Sequence, residues 1–261
     1  MSCEFWLGVA QTTIGSTLGF ALGIAAFHYQ QHLQSKTRNM GDWRATLDAL
    51  NRLNIAAGVN IEALANAKLQ FINDMRPEVE QMKVASMKVY NAPRSEKTTE
   101  VAALKALSES LLHFYMTLPR ISIMLPPDVG EYSSLSKDMP ALATFVHRAM
   151  GMMQELNEYI ESRNALVAER AREGGMGAGM SSERLIYYSN MLADAGRGIF
   201  EQTEFALDFW RLVLDQIETY MTAKAKGEHF LQYKLVPKAE EAMPKEELFP
   251  LMREQLVRFD G

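Results

Sequence analysis

The chain has 261 residues, of which 48% are apolar and 23% are charged. This composition is typical of an ordered protein and argues against a disordered one. The formal net charge of −5 gives no general reason to expect nucleic-acid binding, and the single cysteine, Cys3, excludes an intramolecular disulfide.

The first predicted element is a membrane-spanning helix. The 23 residues from Phe5 to Phe27 carry no charge. At about 1.5 Å per residue, a helix of this length reaches about 34 Å, enough to cross a hydrocarbon core of about 30 Å. No Lys or Arg precedes the run, which is also longer than the apolar region of a signal peptide, so we expect a retained anchor. A helix buried in a soluble domain is the alternative, because Gln11 and Ser16 make the first half only moderately apolar.

The charges around this segment predict its orientation. Only the α-amino group and Glu4 precede it, whereas Lys36, Arg38, Arg44 and Arg52 follow it. Positive residues near the end of a span favour the cytoplasmic side. We therefore expect the longer C-terminal part in the cytoplasm and the N-terminus outside.

Small and polar residues line one face of this predicted helix. At about 100° per residue, that face comprises Gly8, Gln11, Thr12, Gly15, Gly19, Gly23 and Ala26. Small residues let two helix backbones approach closely in lipid, so the face predicts contact with another transmembrane helix, from a second copy or a different protein. The alternative explanation is the general abundance of glycine in membrane helices. The expected partners are membrane lipid and another helix, and we expect an oligomer.

An asparagine-rich helix is predicted next, from Asp42 as N-cap to about Met75. Asn54 lies on its apolar stripe, where a buried amide can fix register or oligomeric state. We expect the remaining asparagines to face solvent, namely Asn51, Asn60, Asn66 and Asn73.

Two shorter helices and an irregular connection follow. One helix is predicted to begin at Pro77 and to end near Tyr90. The other is predicted from about Thr99 to Leu118, with Ser95 or Thr98 as its cap. The segment from Pro119 to Pro140 contains four prolines and shows no sustained period. Long irregular connections of this kind are often functional.

Two long helices with apolar heptads are the clearest prediction. The first spans residues 140–172 and the second residues 182–225, joined by the short glycine-rich linker from Glu173 to Met180. Such heptads predict coiled-coil-like packing, and the short linker predicts an antiparallel hairpin. The heptad rows are Val146, Met153, Ile160 and Val167, then Leu142, Ala149 and Leu156, and in the second helix Leu185, Leu192, Ile199, Ala206, Val213 and Tyr220.

Prolines interrupt the C-terminal tail, where one short amphipathic helix is expected between about residues 244 and 259. Its apolar residues are Leu248, Phe249, Met252, Leu256 and Phe259. We expect this helix to pack on the bundle or on a partner. The predicted organisation is an anchor with its flanks (1–34), a helical bundle (35–227) and this tail (228–261).

The sequence predicts no catalytic, cofactor-binding or metal site. The linker from Glu173 to Met180 lacks the Gly-Lys-Ser/Thr of a phosphate-binding loop. His28 and His32 have the spacing of two metal ligands on one helix face, but two ligands alone are a weak signal. The acidic row Glu201, Glu204 and Asp208 lacks the Glu-x-x-His partners of a di-iron site, so we expect it to be solvated.

The predicted fold is therefore all-α, with one N-terminal transmembrane helix followed by a long antiparallel helical bundle. The hypothesis for function is a membrane-tethered, non-enzymatic interaction protein that acts as a scaffold, adaptor or assembly subunit. One alternative is an oligomeric membrane-perturbing or pore-forming effector, for which Gln11 and Ser16 could line a wet path. A second alternative is an enzyme with a site between the bundle helices.

Overall fold

The structure is a computed structural model that describes residues 30–31, 41–132, 139, 141–174, 179–224, 233–245 and 248–250. The described residues form helices and irregular connections and contain no strand. The predicted all-α fold and helical bundle are confirmed. In the same residues, no helix combines the length and the apolar character needed to cross a bilayer. The predicted anchor, residues 5–27, its packing face and the pair His28 and His32 lie outside the described residues.

The chain divides into two compact units, residues 1–49 and residues 50–261. The described residues of the first unit, 30–31 and 41–49, are helical, and there the Thr46 hydroxyl donates to the Asp42 carbonyl at 2.9 Å. The second unit begins with a helix, α1, at residues 50–67. Its further elements are a π-helical turn (Lys68–Ile72), α2 (Asn73–Asn91), α3 (Lys97–Ser110), a 3-10 turn (His113–Tyr115), α4 (Val129–Tyr132), α5 (Leu142–Gly174), α6 (Ser182–Lys224) and α7 (Pro237–Ala242).

Helices α5 and α6 pack side by side in opposite directions. Arg184 near the start of α6 pairs with Glu173 at the end of α5, at 3.1 Å. Farther along, the indole N–H of Trp210 donates to the sulfur of Met153 at 3.1 Å. The predicted heptad rows are buried: all the residues listed above for α6 are buried, as are all those for α5 except the half-buried Val167. The two predicted long helices are therefore present within two residues of their expected ends.

Helix α2 lies antiparallel to α6 on another side. Lys83 pairs with Asp194 at 2.7 Å, and Val79 packs against Gly196. A Cβ atom at Gly196 would lie 2.7 Å from Cγ2 of Val79, so this close approach requires glycine.

The predicted break before Pro77 is wrong, because Pro77 lies inside α2 and the second unit stays helical from residue 50 to residue 91. A proline in a helix crowds the carbonyl four residues earlier, here that of Asn73. The π-helical turn lies just before this point, and the Asn73 N–H bonds to the Lys68 carbonyl, five residues back. This wider turn gives the proline ring room without ending the helix.

The prediction for α3 is wrong in its N-cap and at its C-terminal end, whereas the helix begins at Lys97, two residues before the expected start. Its N-cap is Glu96, with no side-chain cap hydrogen bond, so neither Ser95 nor Thr98 caps it. It ends at Ser110, eight residues before the expected Leu118. The backbone carbonyls of the next residues bond instead to a side chain of α5, as described below.

Candidate functional site

An extended segment without regular secondary structure crosses the surface of the second unit. We call residues 116–124 the ribbon. Met116 has φ −73° and ψ 139°, an extended backbone conformation, and residues 117–124 have no regular secondary structure. Leu118 and Ile121 are buried, whereas the residues between them, Pro119 and Arg120, are exposed. The ribbon therefore depends on other elements for its backbone hydrogen bonds.

Three asparagine side chains supply hydrogen bonds to the ribbon, and each binds one ribbon residue twice. The Asn157 side chain accepts from the N–H of Ile121 at 2.8 Å and donates to its carbonyl at 3.0 Å. Asn164 binds Leu118 in the same way, at 2.9 and 2.8 Å. Asn60, on α1, binds Met124 at 2.7 and 2.9 Å. We call these three asparagines the asparagine row.

The spacing of helix and ribbon explains why two of these double contacts form together. Asn157 and Asn164 are seven residues apart on α5, which corresponds to about 10.5 Å. Leu118 and Ile121 are three residues apart in the ribbon, which corresponds to about 9–10 Å in an extended chain. The two spacings thus agree to within about 1.5 Å, and the two chains run in opposite directions.

A buried arginine holds the chain just before and at the start of the ribbon. Arg163 is fully buried, and its guanidinium donates to the carbonyls of Met116 at 2.6 Å and Phe114 at 2.7 Å. Burial lowers the pKa of Arg163 from its usual 12.5 to about 10. These bonds hold the chain that follows α3 against α5.

A carboxylate from α2 binds the same turn from the other side. Glu78 accepts from the backbone N–H of Phe114 at 2.6 Å and contacts Nδ1 of His113 at 2.9 Å. The hydrogen bond to Glu78 raises the pKa of His113 above its usual 6.5. The chain entering the ribbon is therefore fixed at both its carbonyls and its N–H groups.

The exposed side of the ribbon carries a weaker contact. Arg120 pairs with Glu161 of α5 at 3.0 Å, with both side chains more than half exposed. Such exposed pairs contribute little to stability. The position of the ribbon is therefore set mainly by the hydrogen bonds to its backbone.

The prediction that Asn60 faces solvent is wrong, because Asn60 is fully buried. The sequence contains a signal for the other contacts that the heptad analysis did not use. The row Leu142, Ala149 and Leu156 continues, seven residues at a time, with Arg163 and Arg170, and Asn157 and Asn164 repeat beside it. Polar residues that continue an apolar row predict buried hydrogen bonds rather than the end of a packed face.

Charged residues bind the tail to a different part of the second unit. Lys68, in the π-helical turn, donates to the Ala242 carbonyl at 2.7 Å and pairs with Glu204 at 2.6 Å. Asp208 pairs with Arg211, and it also accepts from the N–H of Leu248 at 3.0 Å. The tail backbone is thus bound by charged side chains.

Apolar contacts complete this attachment. The ring of Phe249 packs against Phe205 and Phe209, with centroids 5.7 and 4.4 Å apart. Tyr233 packs on Gly58 of α1, and burial, with a hydrogen bond to Glu62, raises its pKa to about 12. The described part of the tail therefore lies on the bundle.

The acidic row Glu201, Glu204 and Asp208 is not solvated as predicted. Asp208 is buried and Glu204 is bound to Lys68, while Glu201 alone is exposed. Where the structure describes the chain, no group of three or more His, Cys, Asp or Glu side chains could hold a metal ion. Glu204 and Asp208, two of the three, take part in attaching the tail.

Comparison with family models, curated proteins and solved structures finds no match for the chain.

Proposed function

We propose that the protein is a membrane-tethered, non-enzymatic helical interaction protein, acting as a scaffold, adaptor or assembly subunit. In this proposal, residues 5–27 anchor the chain, their glycine-lined face contacts another transmembrane helix, and the helical bundle binds a protein partner in the cytoplasm.

The observation that carries the proposal is the asparagine row. Asn60, Asn157 and Asn164 lie on two long helices and bind an extended chain through its backbone. Extended segments bound through their main chain are a recurring form of protein–protein recognition. A rigid helical scaffold that carries such a surface suits an adaptor, because binding residues are held in place by the packed core.

Site-specific photo-crosslinking in native membranes tests this proposal. A photoreactive residue at Thr117, which is exposed on the ribbon, should yield a covalent adduct with a second protein. The matched control is Ala106, which is exposed on α3 away from the ribbon contacts described above. Adducts with lipid alone, or the same protein adducts from both positions, would contradict binding at the ribbon.

A further inference from the structure

We propose that a cavity at the start of α6 binds the phosphate group of a small molecule. The cavity has a volume of about 420 Å³, within the range of small-molecule sites. Its walls come from α3, from the last residues of α5 and from the residues that begin α6. This proposal is independent of the proposed function, because it concerns a ligand inside the second unit and not a protein partner.

Arg170 forms part of the wall and is held in position by the protein itself. Its Cζ atom lies 3.5 Å from the centroid of the Tyr115 ring, and Nη2 donates to Oγ of Ser108 at 3.0 Å. Oγ of Ser108 also hydrogen bonds to the Tyr115 hydroxyl at 2.8 Å. None of these partners carries a negative charge, so they orient the guanidinium without neutralising it. A side chain that is already ordered loses little entropy when a ligand binds.

Two positive charges of this wall are unpaired within the described part of the chain. There, no carboxylate pairs with Arg170 or with Lys105, the second cation that lines the cavity. The neighbouring Arg184 differs, because Glu173 pairs with it at 3.1 Å. Arg170 is half-buried, and a partly desolvated charge without an opposite charge is costly. An anion in the cavity would supply the opposite charge.

A phosphate monoester suits these charges. It carries a charge of about −1.5 to −2 and three acceptor oxygens, so it can accept from Arg170 on α5 and from Lys105 on α3 together. The N-terminus of α6, which begins at Ser182, adds a partial positive charge near the cavity. Glu109 also lines the cavity and opposes an anion, but it is one negative charge against two positive ones.

The remaining wall leaves room for the uncharged part of the molecule. Its apolar side chains are those of Ala171, Met180 and Leu185. The linker between α5 and α6 lacks the motif of a phosphate-binding loop, and the proposed site does not need one, because its cations come from α3 and α5. The phosphate can belong to a soluble ester or to a lipid headgroup, since both present the same group.

Isothermal titration calorimetry of the full chain in detergent tests the site with glycerol 3-phosphate. This probe should bind, whereas glycerol, the uncharged control, should not. Dihexanoyl phosphatidate, a short lipid with the same phosphate group, identifies the source of the ligand. Tighter binding of this lipid than of glycerol 3-phosphate would assign the site to a headgroup, and equal or weaker binding would assign it to a soluble ester.

Charge variants distinguish binding from a structural role. Arg170→Gln should weaken glycerol 3-phosphate binding about tenfold, through loss of a charge-assisted hydrogen bond, and Arg170→Lys should weaken it less. Lys105→Gln should weaken it about threefold, because Lys105 is exposed. Glu109→Gln should tighten it by a similar factor, a change that a purely structural role would not produce. The control is Arg148→Gln, exposed on α5 about 33 Å along the helix from Arg170, which should leave the affinity unchanged.

Failure of both phosphate probes to bind would overturn the proposal. Binding that Arg170→Gln and Lys105→Gln leave unchanged would also overturn it, because the probe would then lie elsewhere or in the micelle. If Arg170→Gln unfolds the protein, Lys105→Gln and Glu109→Gln decide, since both side chains are exposed. Equal affinity of these two variants and the wild type would contradict the site. A missing protein adduct at Thr117 would end the proposed function without affecting this result.

Discussion

The ribbon and the tail are both irregular segments bound to the long helices through their backbones, but different side chains bind them. Neutral amides hold the ribbon residues Leu118, Ile121 and Met124. The tail is held by a lysine and an aspartate, Lys68 and Asp208. The backbone of an irregular segment is therefore bound by neutral amides in one place and by charged side chains in the other.

The difference determines how tightly each segment is fixed. An amide side chain donates and accepts, so one asparagine can satisfy both backbone groups of one residue and fix its register. An ammonium group only donates and a carboxylate only accepts, so each charged contact satisfies one backbone group. The two charged groups that bind the tail each pair with an opposite charge, Glu204 for Lys68 and Arg211 for Asp208. We therefore expect the ribbon to respond to the loss of an amide and the tail to the loss of a charge.

Replacing an amide by a charge in the ribbon site should have the largest effect. Asn157→Asp keeps the shape of the side chain but loses the donor to the Ile121 carbonyl and buries a carboxylate. The expected loss is about 3–5 kcal/mol of unfolding free energy at neutral pH. Urea unfolding of the full chain measures it, with the exposed neighbour Glu158→Gln as the control that should change little.

The pH dependence of Asn157→Asp checks the cause of this loss. Burial raises the pKa of a carboxyl group, and a protonated carboxyl can again donate to the Ile121 carbonyl. The penalty should therefore be small below about pH 4, the usual pKa of aspartate, and should grow as the pH rises. A penalty that does not change between pH 4 and pH 7 would show that the charge is not its origin.

The reciprocal change should loosen the tail by a smaller amount. Asp208→Asn keeps an acceptor for the Leu248 N–H but removes the charge that pairs with Arg211. We expect a loss of about 1–2 kcal/mol in the docking of the tail, the difference between a charge-assisted and a neutral hydrogen bond. Limited trypsin digestion should cut the variant faster than the wild type after Lys238, on the tail. Cutting after Arg120, on the ribbon, is the control and should be unchanged. Faster cutting at both sites would contradict the claim that charges hold the tail and amides hold the ribbon.

The long helix pair could be predicted from the sequence, because its apolar pattern lies within each helix. The rows from Leu142 to Leu156 and from Leu185 to Tyr220 repeat every seven residues, and such a repeat has one simple solution, a packed helix pair. Their burial and the two long helices follow from that repeat alone.

The ribbon could not be predicted in this way, because its structure comes from distant residues. Asn157 and Ile121 are 36 residues apart in the chain, and Asn60 and Met124 are 64 apart. The ribbon has no period-two or helical pattern of its own, and asparagine in a helix is usually exposed. The local signals of these contacts were the continuation of an apolar heptad row by Arg163 and Arg170 and the repeat of Asn157 and Asn164 beside it.

Protonation of His113 should have the smallest effect, confined to the entrance of the ribbon. Its hydrogen bond to Glu78 raises its pKa above 6.5, so this contact stabilises the folded state most fully below pH 6.5 and loses that contribution as the pH rises through the raised pKa. Titration by NMR should show the raised pKa in the wild type and a value near 6.5 in Glu78→Gln. Equal pKa values of His113 in the two proteins would show that Glu78 does not cause the raised pKa.

Amide hydrogen exchange, measured residue by residue by NMR on the full chain in detergent, tests the central claim most directly. If Asn60, Asn157 and Asn164 bind the ribbon backbone, the amides of Leu118, Ile121 and Met124 should exchange slowly in an otherwise irregular segment. In Asn157→Ala, the Ile121 amide should lose its protection first and by the largest factor. Fast, uniform exchange from residue 116 to residue 124 in the wild type would contradict the account.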